Sequence, residues 1–266
     1  MRYFVFGSNG MMGKYFCSLS SNVVPLTRKD YDIKDNDINK IINILKSHNI
    51  QEDDIIINFA GAVKQRKFSL SEYVYINSLF PHQLEQVSET LKCKFLHLTT
   101  DCVYDGKGAF CTEDDIHSCS DWYGNSKSLG EPENSCCIRT SIIGLGSKDN
   151  VTLLDWFNNC QDQQICGFVN HLWNGLTCLE LSNVIKDICE NNLLWKGCRH
   201  IFSERVSKYK LLKMYNEIFA LNKNVVITAS KFACDRTLSS IYHKSIDKTI
   251  SQQLYELKQY HDKYAA

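Results

Sequence analysis

Tyr123 and Lys127 stand four residues apart in the run Asp121-Trp122-Tyr123-Gly124-Asn125-Ser126-Lys127-Ser128-Leu129-Gly130-Glu131. On a helix that spacing puts the phenol and the ammonium on one face, where the cation can lower the phenol pKa and ready it to move a proton. Upstream, Leu98-Thr99-Thr100-Asp101-Cys102-Val103-Tyr104-Asp105-Gly106 carries Thr100 and Cys102, which point to one side if the chain there is extended. A hydroxyl at Thr100 can hydrogen-bond a carbonyl oxygen while Tyr123 donates a proton to it and Lys127 stabilises the phenolate. Asp101, between them, joins Thr100 and Cys102 as a candidate for substrate contact. The plain alternative for Thr100 is a strand-end hydroxyl bonded to backbone. The chemistry implied by the set is reduction of a carbonyl.

Such a reduction needs a hydride donor, and the N-terminus offers a place for one. Gly7-Ser8-Asn9-Gly10-Met11-Met12-Gly13 falls between a strand and a helix beginning near Met11, so Gly7, Asn9, Gly10, Met11, Met12 and Gly13 are the expected pyrophosphate cradle. The G-x-x-G-x-x-G spacing points to the extended short-chain dehydrogenase/reductase type. After the second strand the chain reads Leu26-Thr27-Arg28-Lys29, with no acidic residue for an adenosine ribose hydroxyl. Cations there suit a 2′-phosphate, which favours NADPH with NADH as the alternative. Asp32 and Ile33 join Arg28 in this cofactor set, while a solvated Arg-Lys pair is the plainer reading. Asn58-Phe59-Ala60-Gly61 closes the third strand, and its small residues make Phe59, Ala60 and Gly61 a candidate cofactor floor. Asn77 either locks the neighbouring strand's backbone beside the cofactor or is an ordinary capping or surface amide.

The elements that must position these residues follow from periodicity. Strand-like runs lie at 3–6, 22–26, 54–59, 94–99, 136–143, 198–202 and 225–228, and helical patterns at 37–48, 71–91, 122–131, 179–191, 207–221 and 246–264. The first strands are nearly all apolar, as suits a parallel sheet covered on both faces. The expected fold is a doubly wound α/β parallel sheet of the Rossmann type with a small C-terminal substrate lobe. Residues 1–150 would form the dinucleotide-binding part. Residues 151–266 would form mainly the substrate lobe, with some strands and helices returning to the first part.

Thirty basic and thirty acidic residues balance in a chain of 266, which leaves no basic field for nucleic acid or an anionic membrane and argues for a small-molecule partner. No apolar run approaches the ~20 residues needed to cross a bilayer, and the N-terminal strand is too short for a signal peptide, so a cytoplasmic protein is expected. The thirteen cysteines are odd in number, include no Cys-x-x-Cys and follow no zinc spacing; most are expected to be small buried apolar residues, with no metal.

The sequence resembles the dTDP-4-dehydrorhamnose reductase family, an extended short-chain reductase branch. The resemblance rests on Gly7-x-x-Gly10-x-x-Gly13, Asn58-x-Ala60, the run from Thr100 to Gly106, Tyr123-Gly124-Asn125-Ser126-Lys127-x-x-Gly130-Glu131, Ile138-Arg139-Thr140-Ser141 and Asp235-Arg236-Thr237-Leu238-Ser239. It implies hydride delivery from a reduced nicotinamide to the C-4 ketone of a 4-keto-6-deoxyhexose on a nucleoside diphosphate, in rhamnose-type deoxysugar biosynthesis. Thr100, Tyr123 and Lys127 would be the catalytic set, and Arg236 would belong to the substrate lobe. A homodimer is compatible with this reading.

Cys102 stands where family members often carry an aromatic residue, and here the chain also looks like the bifunctional 3,5-epimerase/4-reductases. A thiol beside Thr100 could move a proton at C-3 or C-5, which the ketone acidifies; a packing cysteine is the alternative. The lysine expected as its counterpart is not evident in Val151-Thr152-Leu153-Leu154-Asp155-Trp156, although Lys148 is close. In Phe168-Val169-Asn170-His171-Leu172-Trp173-Asn174-Gly175-Leu176-Thr177, Asn170 and Trp173 are candidates to contact the base or the sugar, against an aromatic loop that closes the core. His171 is read as structural before acid or base. The alternatives are a sugar-nucleotide 4,6-dehydratase or 4-epimerase, and a non-catalytic nucleotide-sugar-binding subunit. The carrier, UDP or dTDP, and the C-2 substituent stay open.

Overall fold

The computed structural model describes residues 1–146 and 152–264. In chain order the elements are β1 (Tyr3–Phe6), α1 (Met11–Leu19), β2 (Val23–Leu26), α2 (Ile38–Ser47), β3 (Ile55–Asn58), α3 (Leu70–Tyr73), α4 (Phe80–Leu91), β4 (Lys94–Thr100), α5 (Trp122–Ser128), β5 (Cys136–Thr140), β6 (Ile142–Ile143) and α6 (Leu153–Asn159). They continue with β7 (Ile165–Phe168), β8 (His171–Trp173), β9 (Leu176–Thr177), α7 (Cys178–Glu190), β10 (Gly197–His200), β11 (Val206–Ser207), α8 (Lys208–Ile218), β12 (Val225–Thr228), β13 (Cys234–Asp235) and α9 (Ile250–Tyr264). Two compact units result. The first holds Met1–Val103, Cys119–Arg139 and Ser182–Arg199; the second holds Tyr104–Ser118, Thr140–Leu181 and His200–Ala266. The boundary expected at Asn150 lies outside the described residues.

The first unit is built on a six-stranded sheet of order β10-β5-β4-β3-β1-β2, parallel from β2 through β1 and β3 to β4. Strands β1 and β3 are buried at every position. Phe4, Phe6, Ile56 and Phe95 pack on one face against Ile41 and Leu45 of α2 and Phe80, Leu84 and Val87 of α4. Tyr3 meets Phe16 of α1 edge-on on the other face. Helices on both faces explain why these strands lack an apolar-polar alternation. The fold is the doubly wound, Rossmann-like sheet expected from the sequence.

The expected single helix over 71–91 is three consecutive segments: α3 with its Ser69/Glu72 capping box, a π turn over Val74–Leu79, and α4. Pro81 has no N–H to give to the carbonyl of Asn77, four residues earlier, and the widened turn accommodates that loss. Gly130, just after α5, lies against the same carbonyl: a Cβ at Gly130 would fall 1.8 Å from the Asn77 oxygen. The run expected over 136–143 is likewise divided, into β5 and β6. Helix α9 starts at Ile250 because Thr249 caps it, its hydroxyl accepting from Gln252 N–H at 3.3 Å.

In the second unit β11, β8 and β13 form one sheet, while β12 pairs with β7 and β6 with β9. The segment read as an aromatic loop therefore contains the short strands β8 and β9. Phe157 and Tyr215 pack edge-on at 5.7 Å in the core of this unit. The cysteines depart from expectation: all thirteen are free, four (Cys136, Cys137, Cys178 and Cys189) are buried, eight are half-buried and Cys166 is exposed. Gly130→Ala is expected to lower stability by about 1–3 kcal/mol or more, because rigid backbone cannot yield to the added methyl; urea unfolding measures it.

Candidate active site

Strand order reverses between β1 and β3, and in a doubly wound sheet the crevice beyond the carboxyl ends of such strands receives the ligand. The glycine loop leaves β1 at this point. Gly7 has φ +79°, and a Cβ on it would lie 2.5 Å from the Ala60 nitrogen; a Cβ on Gly13 would lie 2.3 Å from the Gly7 oxygen. The loop thus folds flat onto both the exit of β3 and its own helix. Helix α1 starts at Met11 with no side-chain cap from Gly10, so its first amides point from an uncapped N-terminus. Asn9 and Gly10 are exposed, Met11 is half-buried and Met12 is buried. Ser8 donates to the Leu26 carbonyl (3.1 Å) and anchors the loop to β2. These backbone groups fit a dinucleotide pyrophosphate.

The exit of β3 is held by side-chain amides. Asn58 Oδ1 accepts from Ala60 N–H (3.0 Å). Asn77, carried on the π turn, accepts from Ala62 N–H (2.8 Å) and donates to the Ala62 carbonyl (3.0 Å) and to Ser126 Oγ (3.0 Å). The neighbouring Ser78 hydroxyl donates to the Ser126 carbonyl (2.8 Å). Asn77 therefore locks backbone, as one of its two sequence readings had it, and ties that backbone to α5. Phe59 packs on Phe16, while Ala60 is half-buried and Gly61 exposed just after β3.

Helix α5 begins at Asp121, whose carboxylate accepts from Gly124 N–H (2.9 Å), and carries Tyr123 and Lys127 into the first unit. Tyr123 packs against the buried cluster of Ala62, Tyr73 and Ile76. Strand β4 ends at Thr100, and Asp101–Val103 is a 3-10 turn, so the period-two argument for Cys102 does not apply. The Thr100 hydroxyl instead accepts from Cys102 N–H and donates to Asp101, both at 3.2 Å. The turn nonetheless leaves Cys102 within electrostatic reach of Tyr123.

Lys127 is 5% exposed, and its Nζ donates to the Leu98 carbonyl (3.0 Å). Burial lowers its pKa to about 8, against the opposing pull of Cys137 and Glu131. Burial also raises the Tyr123 phenol above its ordinary value, with Cys102 adding to the rise and the Thr100 hydroxyl opposing it. The sequence expectation of a lowered phenol pKa is thus corrected: burial dominates and holds it above its ordinary value. Tyr123 is kept protonated across the neutral range. Glu131, one turn beyond Lys127, takes a buried ion pair from Arg139 of β5, with Nε at 3.1 Å, which fixes the end of α5 to the sheet.

Other candidates have definite places. Arg28 and Lys29 are exposed after β2 and have no side-chain partner among the described residues. Asp30, beside them, accepts from Thr27 N–H and hydroxyl, both at 2.8 Å. Asp32 caps a 3-10 turn, accepting from Lys34 N–H (3.1 Å). In the second unit, Asn170 donates to the Ser230 carbonyl (2.7 Å) and accepts from Ser230 N–H (2.9 Å), so both ends of its amide join two loops. Trp173 is 4% exposed, with Lys208 over its ring at 5.3 Å. His171 Nε2 bonds the Phe232 carbonyl (3.0 Å). Arg236 donates through Nε to the Tyr104 carbonyl (2.9 Å). Lys148 lies outside the described residues.

Sequence reasoning missed Ser78 and Ser126, the Glu131–Arg139 pair and His97. The signals were present: Glu131 follows Lys127 at i+4, Pro81 follows Asn77 at i+4, and His97 interrupts an apolar strand.

A flat glycine cradle at the switch point of a doubly wound parallel sheet defines an α/β protein of the Rossmann-like class. The family described as RmlD substrate binding domain matches residues 1–145, and the chain belongs to it. It is 29% identical over 161 residues to the Spore coat polysaccharide biosynthesis protein SpsK of Bacillus subtilis (strain 168), which is 55% of each chain; the match spans about half the length of that relative. The fold is similar to a dTDP-4-dehydrorhamnose reductase of Clostridium acetobutylicum (TM-score 0.80, 18% identity, 98% of this chain and 100% of that one). It is equally similar to that of Bacillus anthracis solved in complex with NADP (TM-score 0.79, 18% identity, 97% and 99%). No described helix is long and apolar enough to cross a membrane.

Lys127→Met is expected to stabilise the protein at pH 7 by about 1–3 kcal/mol, since it removes a buried ammonium with one hydrogen bond. The folded pKa lies below the unfolded one, so this handicap of the wild type is full below pH 8 and fades between about 8 and 10.5. Thermal unfolding of both proteins across that range tests the sign.

Proposed function

We propose that this protein reduces the C-4 ketone of a nucleoside-diphosphate 4-keto-6-deoxyhexose with NADPH. The observation that carries the reading is the buried Lys127 ammonium one turn from Tyr123 on α5, in the same unit as the glycine cradle and the Thr100 end of β4. Backbone amides of the Gly7–Gly13 loop and the N-terminus of α1 would hold the pyrophosphate, and the exposed Arg28 would face a 2′-phosphate. When bound, the reduced nicotinamide supplies the hydride for C-4. Thr100 orients the ketone oxygen, Tyr123 gives that oxygen its proton, and the Lys127 ammonium stabilises the phenolate left behind. A Tyr123 pKa raised by burial makes the phenol a weak acid until the developing alkoxide is at hand, and Lys127 then offsets the new charge.

Family membership supports the substrate class, and the NADP complex of a similar fold supports the cofactor. A 4,6-dehydratase is less well supported: Asp101 is buried and bonded to Thr100, and Cys102 stands where a dehydratase adds a glutamate. A non-catalytic subunit would have no use for the Tyr123–Lys127 pair. Because Cys102 lies close enough to Tyr123 to perturb it electrostatically, proton exchange at C-3 or C-5 is a second activity of the same pocket.

NADPH is expected to be oxidised stoichiometrically with dTDP- or UDP-4-keto-6-deoxyglucose, and Tyr123→Phe to lose ~100-fold or more of that rate; undiminished turnover by this variant would falsify the mechanism. Arg28→Ala is expected to weaken NADPH more than NADH in a fluorescence titration. Deuterium incorporation at C-3 or C-5 in heavy water, followed by NMR, is expected to fall in Cys102→Ala, and equal incorporation would remove the thiol from the chemistry.

A further inference from the structure

His97 lies midway along β4, opposite Asn58 of β3 in the parallel register, and is completely buried. Asn58 Oδ1 is occupied by Ala60 N–H, so its Nδ2 is the group that faces His97 Nδ1 at 3.2 Å. The ring nitrogen must therefore accept, which assigns the proton of the neutral imidazole to Nε2. That Nε2 has no hydrogen-bond partner among the described residues. Two residues on, on the same face of the strand, the buried Thr99 Oγ1 has none either. Between them stands Leu98, whose carbonyl takes one of the three N–H groups of Lys127.

Unpaired buried polar groups are costly, and proteins satisfy such clusters with an internal water making about three bonds. We propose that His97 and Thr99 hold, together with Lys127, one buried water, and that they thereby act as positioning residues that keep the Lys127 ammonium charged and in place. The water accepts from His97 Nε2–H and from Lys127 Nζ–H, and donates to Thr99 Oγ1. Each group left unsatisfied gains its partner, and the lysine gains a solvent dipole inside the fold. The importance of Lys127 for turnover rests on the reductase reading above; the water site itself does not.

The ionisable surroundings agree. His97 is held neutral, its pKa pushed well down by burial first and then by the charges of Lys127 and of His82 from α4. Lys127 is faced by Cys137 of β5 and by Glu131 beyond α5, both of which favour its charged form against burial. An added water would act in the same direction as these two groups.

The test uses isotope-labelled lysine NMR to titrate Lys127 in the full chain, without substrate. Thr99→Val and His97→Leu are expected to move its midpoint to lower pH by about one unit, a roughly tenfold fall in the charged-to-neutral ratio at a given pH. Thr99→Ser, which restores a hydroxyl, is expected to return it. A crystal structure should show the water bonded to all three groups. An unchanged midpoint in a folded Thr99→Val, or no density between His97 Nε2 and Thr99 Oγ1, overturns the proposal; should His97→Leu fail to fold, Thr99→Val alone decides. Failure of the wild type to oxidise NADPH with any keto-sugar would remove the reductase reading while leaving the NMR result valid.

Discussion

One side-chain amide, that of Asn77, connects the parts of the first unit that have to act together. It grips both backbone groups of Ala62 at the exit of β3 and the hydroxyl of Ser126 on α5, segments 15 and 49 residues away. Its position is made by the chain around it. Pro81 withholds a donor, the helix widens into a π turn, and Ser78 is brought to bear on the Ser126 carbonyl beside it. Gly130 lets α5 end directly against the Asn77 carbonyl. The phenol of Tyr123 and the ammonium of Lys127 are thus set by hydrogen bonds to backbone and not by apolar packing alone.

Burial and charge pull in opposite directions at Lys127. Burial pushes its pKa down, and a methionine of similar shape would suit the interior better. The fold retains the charge because Glu131, itself paired with Arg139, lies one turn away and the Leu98 carbonyl takes a hydrogen bond. Burial acts on Tyr123 with the opposite consequence for charge, keeping it protonated.

The glycine loop follows the same logic of close approach. Gly7 and Gly13 are required where backbone meets backbone, and what they leave open is a row of amides at the switch point of the sheet. The residues at the ends of β1, β3 and β4 share that rim because parallel strands present their carboxyl ends together.

Much of this was legible in the chain. The apolar strands, the glycine spacing and the Tyr123–Lys127 interval are local patterns, and local patterns fix secondary structure, fold class and the family resemblance. What the sequence could not decide depended on distant partners. Whether Asn77 was a lock or a surface amide was settled by Ala62 and Ser126; the upward direction of the phenol pKa follows from burial, which no spacing encodes. Cys102 could not be oriented by alternation, because the strand turns immediately after Thr100. The short strands β8 and β9 escaped notice because two or three residues carry no period of their own and are held only by their neighbours.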